Sequence, residues 1–202
     1  MVLFGHQTSA RPLDFFLQLR YNYIMNIFYL HHEPKICAQQ HVDKHCVKMI
    51  LEYAQLLSTA HRVLDGTIVT GHSATGRKKT SYVLHDERDS VLYSATHINH
   101  PSAVWVRKRE SHYRLLFSLW IELMDEYTYR YGKVHASSRL ISYLNKPPTN
   151  IEFGGGFDEP TPAMPDHYKV DGDSIKSYQN YYLGDKQRMF SWKKRQTPSW
   201  IL

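Results

Sequence analysis

The chain has 202 residues, which suits a single domain with its own core and is short for two. Lys and Arg number 25 against 19 Asp and Glu, giving a formal charge of +6 and a pI near 9.2, and this basic excess favours a polyanionic partner. No apolar run approaches the roughly 20 residues that span a bilayer, and the two cysteines form neither a disulfide framework nor a CxxC metal motif. These features argue against membrane insertion and secretion, and we expect a cytoplasmic protein.

Residues 1–24 differ in character from the chain that follows, and they lack the uninterrupted apolar stretch and cleavage site of a signal peptide. Met25 then opens the compact apolar segment MNIFYL, of the kind that places the first residues of a protein in its own core. The sequence thus predicts an N-terminal extension or arm over residues 1–24 and a single helical domain over residues 25–202. Met25 is the expected native start.

A first long helix is predicted from Pro34, a favourable first-turn residue, to about Arg62. Beside its apolar face, five polar side chains form a continuous stripe at i, i+4, i+7, i+11 and i+14, namely His41, His45, Lys48, Glu52 and Gln55. Because proton-transfer groups dominate this selection, we predict four catalytic residues: His41, His45, Lys48 and Glu52. The alternative is an ordinary polar helix edge with an ion pair between Lys48 and Glu52.

The histidines of this stripe also allow a metal interpretation. His41 and His45 are spaced to bind one zinc ion, for which a third ligand could come from His97, His100 or His112. No HExxH-type signature connects these residues. We therefore predict neither a metal nor a cofactor and keep a His-based metal-dependent hydrolase as an alternative.

The chain beyond the first long helix contains clear stop and start signals. The Asp65-Gly66 pair ends that helix, and the Gly, Thr and Ser content of residues 66–79 predicts a mobile loop. A second long helix is predicted from Pro101 to Tyr131, where Gly132 stops it, and a last helix begins near Asp173. We therefore expect an all-α fold: a single domain built on two long helices, with short accessory helices and long loops.

The HINHP turn before the second long helix and the tail after the last one are the predicted nucleic-acid contacts. A turn at a helix start offers free N–H groups to a phosphate, and aromatic and cationic side chains alternate in the tail. The predicted contacts are Asn99, His100, Arg107, Lys108, Tyr181, Tyr182, Lys193 and Lys194. The alternatives are that His100 and Asn99 only cap the helix and that the tail aromatics dock it on the body, while His112 is expected to be a core histidine.

The segment MNIFYL, a helix containing AQQHVDKHCVKMILEYAQLL and a later NHPSAVWVRKRESHY helix occur here in that order. In these motifs the chain resembles the pyrimidine dimer DNA glycosylase (endonuclease V type) superfamily and its phage and bacterial relatives. The resemblance covers about residues 25–131, and the tail is weakly similar to the Trp-Tyr-Tyr ending of that family. It implies an all-helical single domain that cuts the glycosyl bond at a pyrimidine dimer and then breaks the strand through a Schiff base.

The resemblance also implies a nucleophilic N-terminal amine, exposed by removal of the initiator Met, and an essential Glu in the first long helix. Alignment on His41 places Lys48 at that Glu position, with Glu52 one turn further on. Because Asn26 disfavours removal of Met25, Lys48 is a candidate replacement amine.

The predicted function is therefore that of a DNA-binding glycosylase or abasic-site lyase that acts on damaged or modified bases. The expected partner is double-stranded DNA, in the host cytoplasm if the protein is phage-encoded. A base within a duplex must be made accessible by flipping before such chemistry. The alternatives are a non-catalytic nucleic-acid-binding protein and the metal-dependent hydrolase.

Overall fold

A computed structural model describes residues 25–72 and 75–202, and the predicted extension over residues 1–24 lies outside them. The described chain is mostly helical, with one two-stranded sheet. The helices and strands are α1 (Pro34–Gln40), α2 (Asp43–Asp65), β1 (Thr67–His72), β2 (Lys78–Val83), α3 (Arg88–Val91), α4 (Pro101–Lys108), α5 (Glu110–Tyr131), α6 (Ile141–Leu144) and α7 (Ser174–Tyr181). Short 3-10 turns and one π turn, Tyr182–Lys186, complete the chain.

The first predicted long helix is two helices, because the backbone is extended at His41 and Val42. The Arg130 guanidinium, from α5, donates to the carbonyl oxygens of Gln39 and His41 at 2.9 Å each. These carbonyls at the end of α1 therefore find their partner in a distant side chain and not in a further helical turn. The expectation of one continuous polar stripe from His41 to Gln55 was wrong.

The second predicted long helix is also interrupted. Arg109 is extended (φ −147°, ψ 154°) between α4 and α5, and the N–H of Glu110 donates to the carbonyl oxygen of Glu152 at 2.9 Å. The predicted stop is confirmed, since Gly132 adopts the left-handed conformation (φ 66°) that glycine tolerates best. The predicted end of the first long helix at Asp65-Gly66 is also confirmed.

The predicted loop over residues 66–79 was wrong, because β1 and β2 form an antiparallel hairpin there. β-Branched residues near both strand bases favour this pairing, whereas the Gly, Thr and Ser content of the segment is typical of a loop. The expectation of an all-α fold therefore holds for the helical body, with this small sheet as an addition.

The core lies between α2, α5 and the buried extended segment of residues 25–30. α2 and α5 run antiparallel, since Tyr113 meets His61 near one end while Arg130 meets Asp43 at the other. Between these contacts, the indole N–H of Trp120 donates to the carbonyl oxygen of Ile50 at 2.9 Å. The extended segment is fixed in turn by the Phe28 N–H, which donates to the Tyr53 hydroxyl at 3.1 Å.

A candidate active-site cleft around Glu52

An open cleft of about 500 Å³ lies where the middle of α2 faces the segment before α4. Three elements line it: the start of the buried extended segment, α2, and the irregular chain between α3 and α4. The lining residues are Met25, Glu52, Gln55, Tyr93, Ser94, Thr96 and His97. Polar groups from distant parts of the sequence therefore converge on one concave surface, as they do at ligand sites.

Glu52 is the buried acid of this cleft. Its Oε1 lies 2.9 Å from the Lys48 ammonium, whereas Oε2 is buried without a hydrogen-bond partner among the described residues. Burial raises the pKa of Glu52 above its usual range, against the opposing effects of Lys48 and His97. A carboxyl group with a raised pKa and one unpaired oxygen is suited to proton transfer or to stabilising a cation.

Lys48 has a different environment from the one expected of an amine nucleophile. Its side chain is 55% exposed and paired with the Glu52 carboxylate, the ion pair that was the alternative interpretation of the stripe. A largely exposed ammonium lacks the desolvation that an amine nucleophile needs. Its position instead suits neutralising Glu52 or holding a phosphate.

His97 also lines the cleft, whereas the sequence offered it as a possible metal ligand and as part of the HINHP turn. It is exposed and adopts a left-handed backbone conformation (φ 47°), which is uncommon for a residue with a Cβ. The preceding residue is held in place because the Thr96 N–H donates to the Thr59 hydroxyl at 3.2 Å. The HINHP motif marked this turn, but no sequence signal indicated which side chain would face the cleft.

His41 and His45, predicted as catalytic, are both buried beside the core. The neutral His41 ring donates through Nδ1 to the Cys37 carbonyl oxygen (2.8 Å) and accepts from Tyr53 at Nε2 (3.1 Å). His45 stacks on Phe28 and lies 2.6 Å from the Tyr182 hydroxyl. Burial lowers the pKa of His41 to about 4 and that of His45 well below its ordinary value. The structure therefore assigns both rings packing contacts and does not place them among the cleft-lining residues.

Two buried histidines, His41 and His61, make the stability of the fold dependent on pH. Burial lowers the pKa of both His41 and His61 to about 4, whereas the unfolded chain binds these protons near the ordinary histidine pKa of about 6.5. The free energy of unfolding should fall by roughly 2 kcal/mol per histidine between pH 7 and pH 5, because mainly the unfolded state gains protons there. Glu52, with its raised pKa, acts in the opposite direction as a single group. Urea unfolding at pH 7 and pH 5 measures the difference, and equal stability at both would contradict this assignment.

The four residues predicted around the HINHP turn occupy different positions. Asn99 is exposed, and His100 caps α4 by accepting from the Ser102 N–H at 3.2 Å. Arg107 is half-buried and donates to the Ile98 carbonyl oxygen, while Lys108 pairs with Asp158 at 2.6 Å. The capping alternative therefore describes His100, and Asn99 remains available at the surface beside His97.

The predicted tail residues divide into buried tyrosines and exposed lysines. Tyr181 and Tyr182 are buried in the core cluster, so their rings dock the tail, as in the alternative interpretation. Lys193 and Lys194 are exposed, and each ammonium also lies against a tyrosine ring of α5. The Lys193 N–H bonds the Asp43 carboxylate, which fixes this basic turn at the start of α2.

The metal alternative depends on a grouping that the structure does not form. Within residues 25–72 and 75–202, no three His, Cys, Asp or Glu side chains are arranged as a metal ion would require. His112, one of the considered ligands, is buried and stacks on Trp105, as expected of a core histidine. Its Nδ1 donates to the Trp105 carbonyl oxygen, and its Nε2 accepts from the Asp158 N–H.

The fold and the cleft define a mostly helical protein with a buried carboxyl group at an open polar surface. No family model, curated protein or solved structure matches this chain. No helix in the described part of the chain has the length and apolar character needed to cross a bilayer. The functional interpretation therefore depends on the geometry of the chain's own side chains.

Proposed function

We propose that this protein binds DNA and cleaves the glycosyl bond, or the abasic-site strand, at damaged or modified bases, with Glu52 as the catalytic carboxyl group. One observation carries the proposal: Met25 and Glu52 line the same cleft. The resemblance to the pyrimidine dimer glycosylases implies an amine at a chain start close to a glutamate of the first long helix. The two positions are 27 residues apart in sequence and belong to different elements, so sequence proximity does not explain their meeting.

The role proposed for Glu52 follows from its environment. Loss of a base develops positive charge on the deoxyribose, and an ionised carboxylate in a low-dielectric cleft stabilises that charge more strongly than it would in water. When protonated, the same group can transfer a proton to the opened sugar or to a Schiff base. Its raised pKa makes both forms accessible nearer neutral pH than for an exposed glutamate.

The amine has two candidates, one that lines the cleft and one that lies beside it. The nitrogen of Met25 becomes a free amine only in a chain that starts there, because in the 202-residue chain it forms a peptide bond with Ile24. The Lys48 side-chain amine is present wherever the chain starts, but it is paired with Glu52. The cleft geometry favours the Met25 position, since Lys48 lies at the exposed edge of the carboxyl group it neutralises.

A panel of duplexes tests the proposal. Duplexes that carry a thymine dimer, an abasic site or no lesion are incubated with the 202-residue chain and with a chain that starts at Met25, and strand cleavage and anisotropy-based binding are followed across a salt series. We expect the chain that starts at Met25 to cleave a lesion-containing duplex, with binding that weakens by about 0.9 in log–log slope for each phosphate contacted. Salt-sensitive binding without any cleavage would replace the proposal with the non-catalytic nucleic-acid-binding protein, and undetectable binding would eliminate both.

A further inference from the structure

The hairpin of β1 and β2 is an exposed basic ribbon outside the Glu52 cleft. Residues 66–85 contain no Asp or Glu but include Arg77, Lys78 and Lys79. All of β1 and the outer half of β2 are exposed, including Ile68 at 62%. An isolated two-stranded ribbon is only marginally stable in water. A partner that covers this exposed, basic hairpin would therefore stabilise it.

We propose that this hairpin enters the major groove of double-stranded DNA and neutralises phosphates through Lys78 and Lys79. This inference rests on the proposed function for the class of partner and adds the surface that grips the duplex. The partner follows from charge complementarity, because a ribbon with three cationic residues and no acidic one matches a polyanion.

The dimensions of the hairpin fit the major groove. Six-residue strands give an arm about 20 Å long, and a sheet with its side chains is about 10 Å thick. The major groove is about 12 Å wide, whereas the minor groove, at about 6 Å, is too narrow for the ribbon. A groove of that width admits a two-stranded ribbon with its two faces towards opposite walls.

The register places one lysine on each face. Lys78 pairs with His72, and Lys79 pairs with Gly71, so the two lysines belong to adjacent pairs that project to opposite faces. Thr70 and Thr80 form the next pair on the Lys78 face and add two hydroxyl groups to it. An inserted ribbon would therefore present a cation to the phosphates of each groove wall.

The base of the hairpin is joined to the wall of the Glu52 cleft by one side chain. The buried Arg62 guanidinium donates to the Tyr82 carbonyl oxygen in β2 at 2.9 Å and to the Tyr93 carbonyl oxygen at 2.7 Å. Tyr93 is itself a cleft residue. The hairpin therefore leaves the body next to the cleft, where it could hold a duplex whose damaged nucleotide enters the site.

Gly66 sets the direction of that departure. A Cβ at this position would lie 2.4 Å from the Arg62 carbonyl oxygen and 3.1 Å from the Val83 carbonyl oxygen, both of them backbone atoms. Only glycine allows the chain to turn from the end of α2 into β1 this closely. The hairpin is thus fixed at its base, while the outer residues of its two strands are exposed.

The first test compares two charge-matched double variants of the full chain on an undamaged duplex. Lys78→Ala with Lys79→Ala should weaken binding at least tenfold at about 0.1 M salt and lower the log–log salt slope by about 1.8. The control, Lys169→Ala with Lys176→Ala, removes the same charge from exposed positions outside the hairpin and should bind like the wild type. Wild-type affinity and slope in the hairpin variant would overturn the inference and leave cleavage at Glu52 as a separate question.

A second test locates the contact without relying on the lysine variant. Both native cysteines are buried, so a photo-crosslinker attached through Thr80→Cys reports on the hairpin alone. We expect this position to cross-link to the duplex and an equally exposed Asp171→Cys label not to do so. Absence of cross-linking while the protein is bound, or binding to anionic phosphatidylserine vesicles in place of the duplex, would overturn the hairpin inference. Failure of the proposed function would instead appear as lost cleavage of lesion-containing DNA.

Discussion

Glu52→Gln should abolish turnover while leaving affinity for a lesion-containing duplex almost unchanged. The substitution keeps the size and hydrogen-bonding ability of the side chain but removes the ionisable carboxyl group. General acid–base catalysis contributes roughly 100- to 10,000-fold, so single-turnover cleavage should fall by at least about 100-fold. The reason is structural: Glu52 is the buried acid among the cleft-lining residues, and its Oε2 has no hydrogen-bond partner in the described chain.

A matched variant separates catalysis from charge. Glu87→Gln makes the same change at an exposed position outside the cleft and should cleave at the wild-type rate. Binding is measured by anisotropy under the same conditions as cleavage. A Glu52→Gln protein that cleaves as fast as the Glu87→Gln protein would show that Glu52 takes no part in the chemistry.

Arg130→Met should cause the largest loss of stability. Its guanidinium is fully buried and bonds Glu126, Asp43 and two backbone carbonyl groups, which joins α5 to the junction of α1 and α2. Removing one partner of such a buried pair typically costs about 3–5 kcal/mol, because the remaining groups lose their compensation. For a chain of this length, that loss corresponds to a drop in Tm of roughly 6–20 °C.

Two control variants show whether the loss of stability is specific to Arg130. Arg188→Met removes the same charge at an exposed position and should leave Tm almost unchanged. Arg195→Met removes the second, partly exposed partner of Glu126 and should have an intermediate effect. Thermal unfolding followed by circular dichroism measures all three, and an Arg130→Met protein as stable as Arg188→Met would contradict the bridging role of Arg130.

Local signals predicted the ends of several elements, because those ends depend on nearby residues. Gly132 stops α5 through its own left-handed backbone, and Pro101 begins α4 in the expected first turn. The interruption at His41 depends instead on Arg130, which lies 89 residues away in sequence. A helical repeat cannot reveal a distant guanidinium that satisfies the last carbonyl groups of a helix, and for this reason the sequence predicted one helix where there are two.

The site residues differ in the same way, since some can be recognised from nearby sequence and others depend on distant contacts. Glu52 was recognisable because it belongs to a stripe dominated by proton-transfer groups, whereas the burial of His45 depends on Tyr182, 137 residues away. Tyr93 and His97 face the cleft because Arg62 and Thr59 hold the backbone around them. Their inclusion follows from tertiary contacts, and no spacing in the sequence encodes it.

Borohydride trapping on abasic-site DNA tests the central claim most directly, because it records which amine forms a Schiff base beside Glu52. Reduction of the imine yields a secondary amine that joins protein to sugar, and mass spectrometry of the adduct identifies the residue. The 202-residue chain, a chain that starts at Met25 and its Lys48→Ala variant are compared. We predict an adduct at the Met25 nitrogen in both chains that start there, unaffected by Lys48→Ala. No adduct in any of the three proteins, or an adduct on a residue outside the cleft, would contradict the assignment of this cleft as the active site.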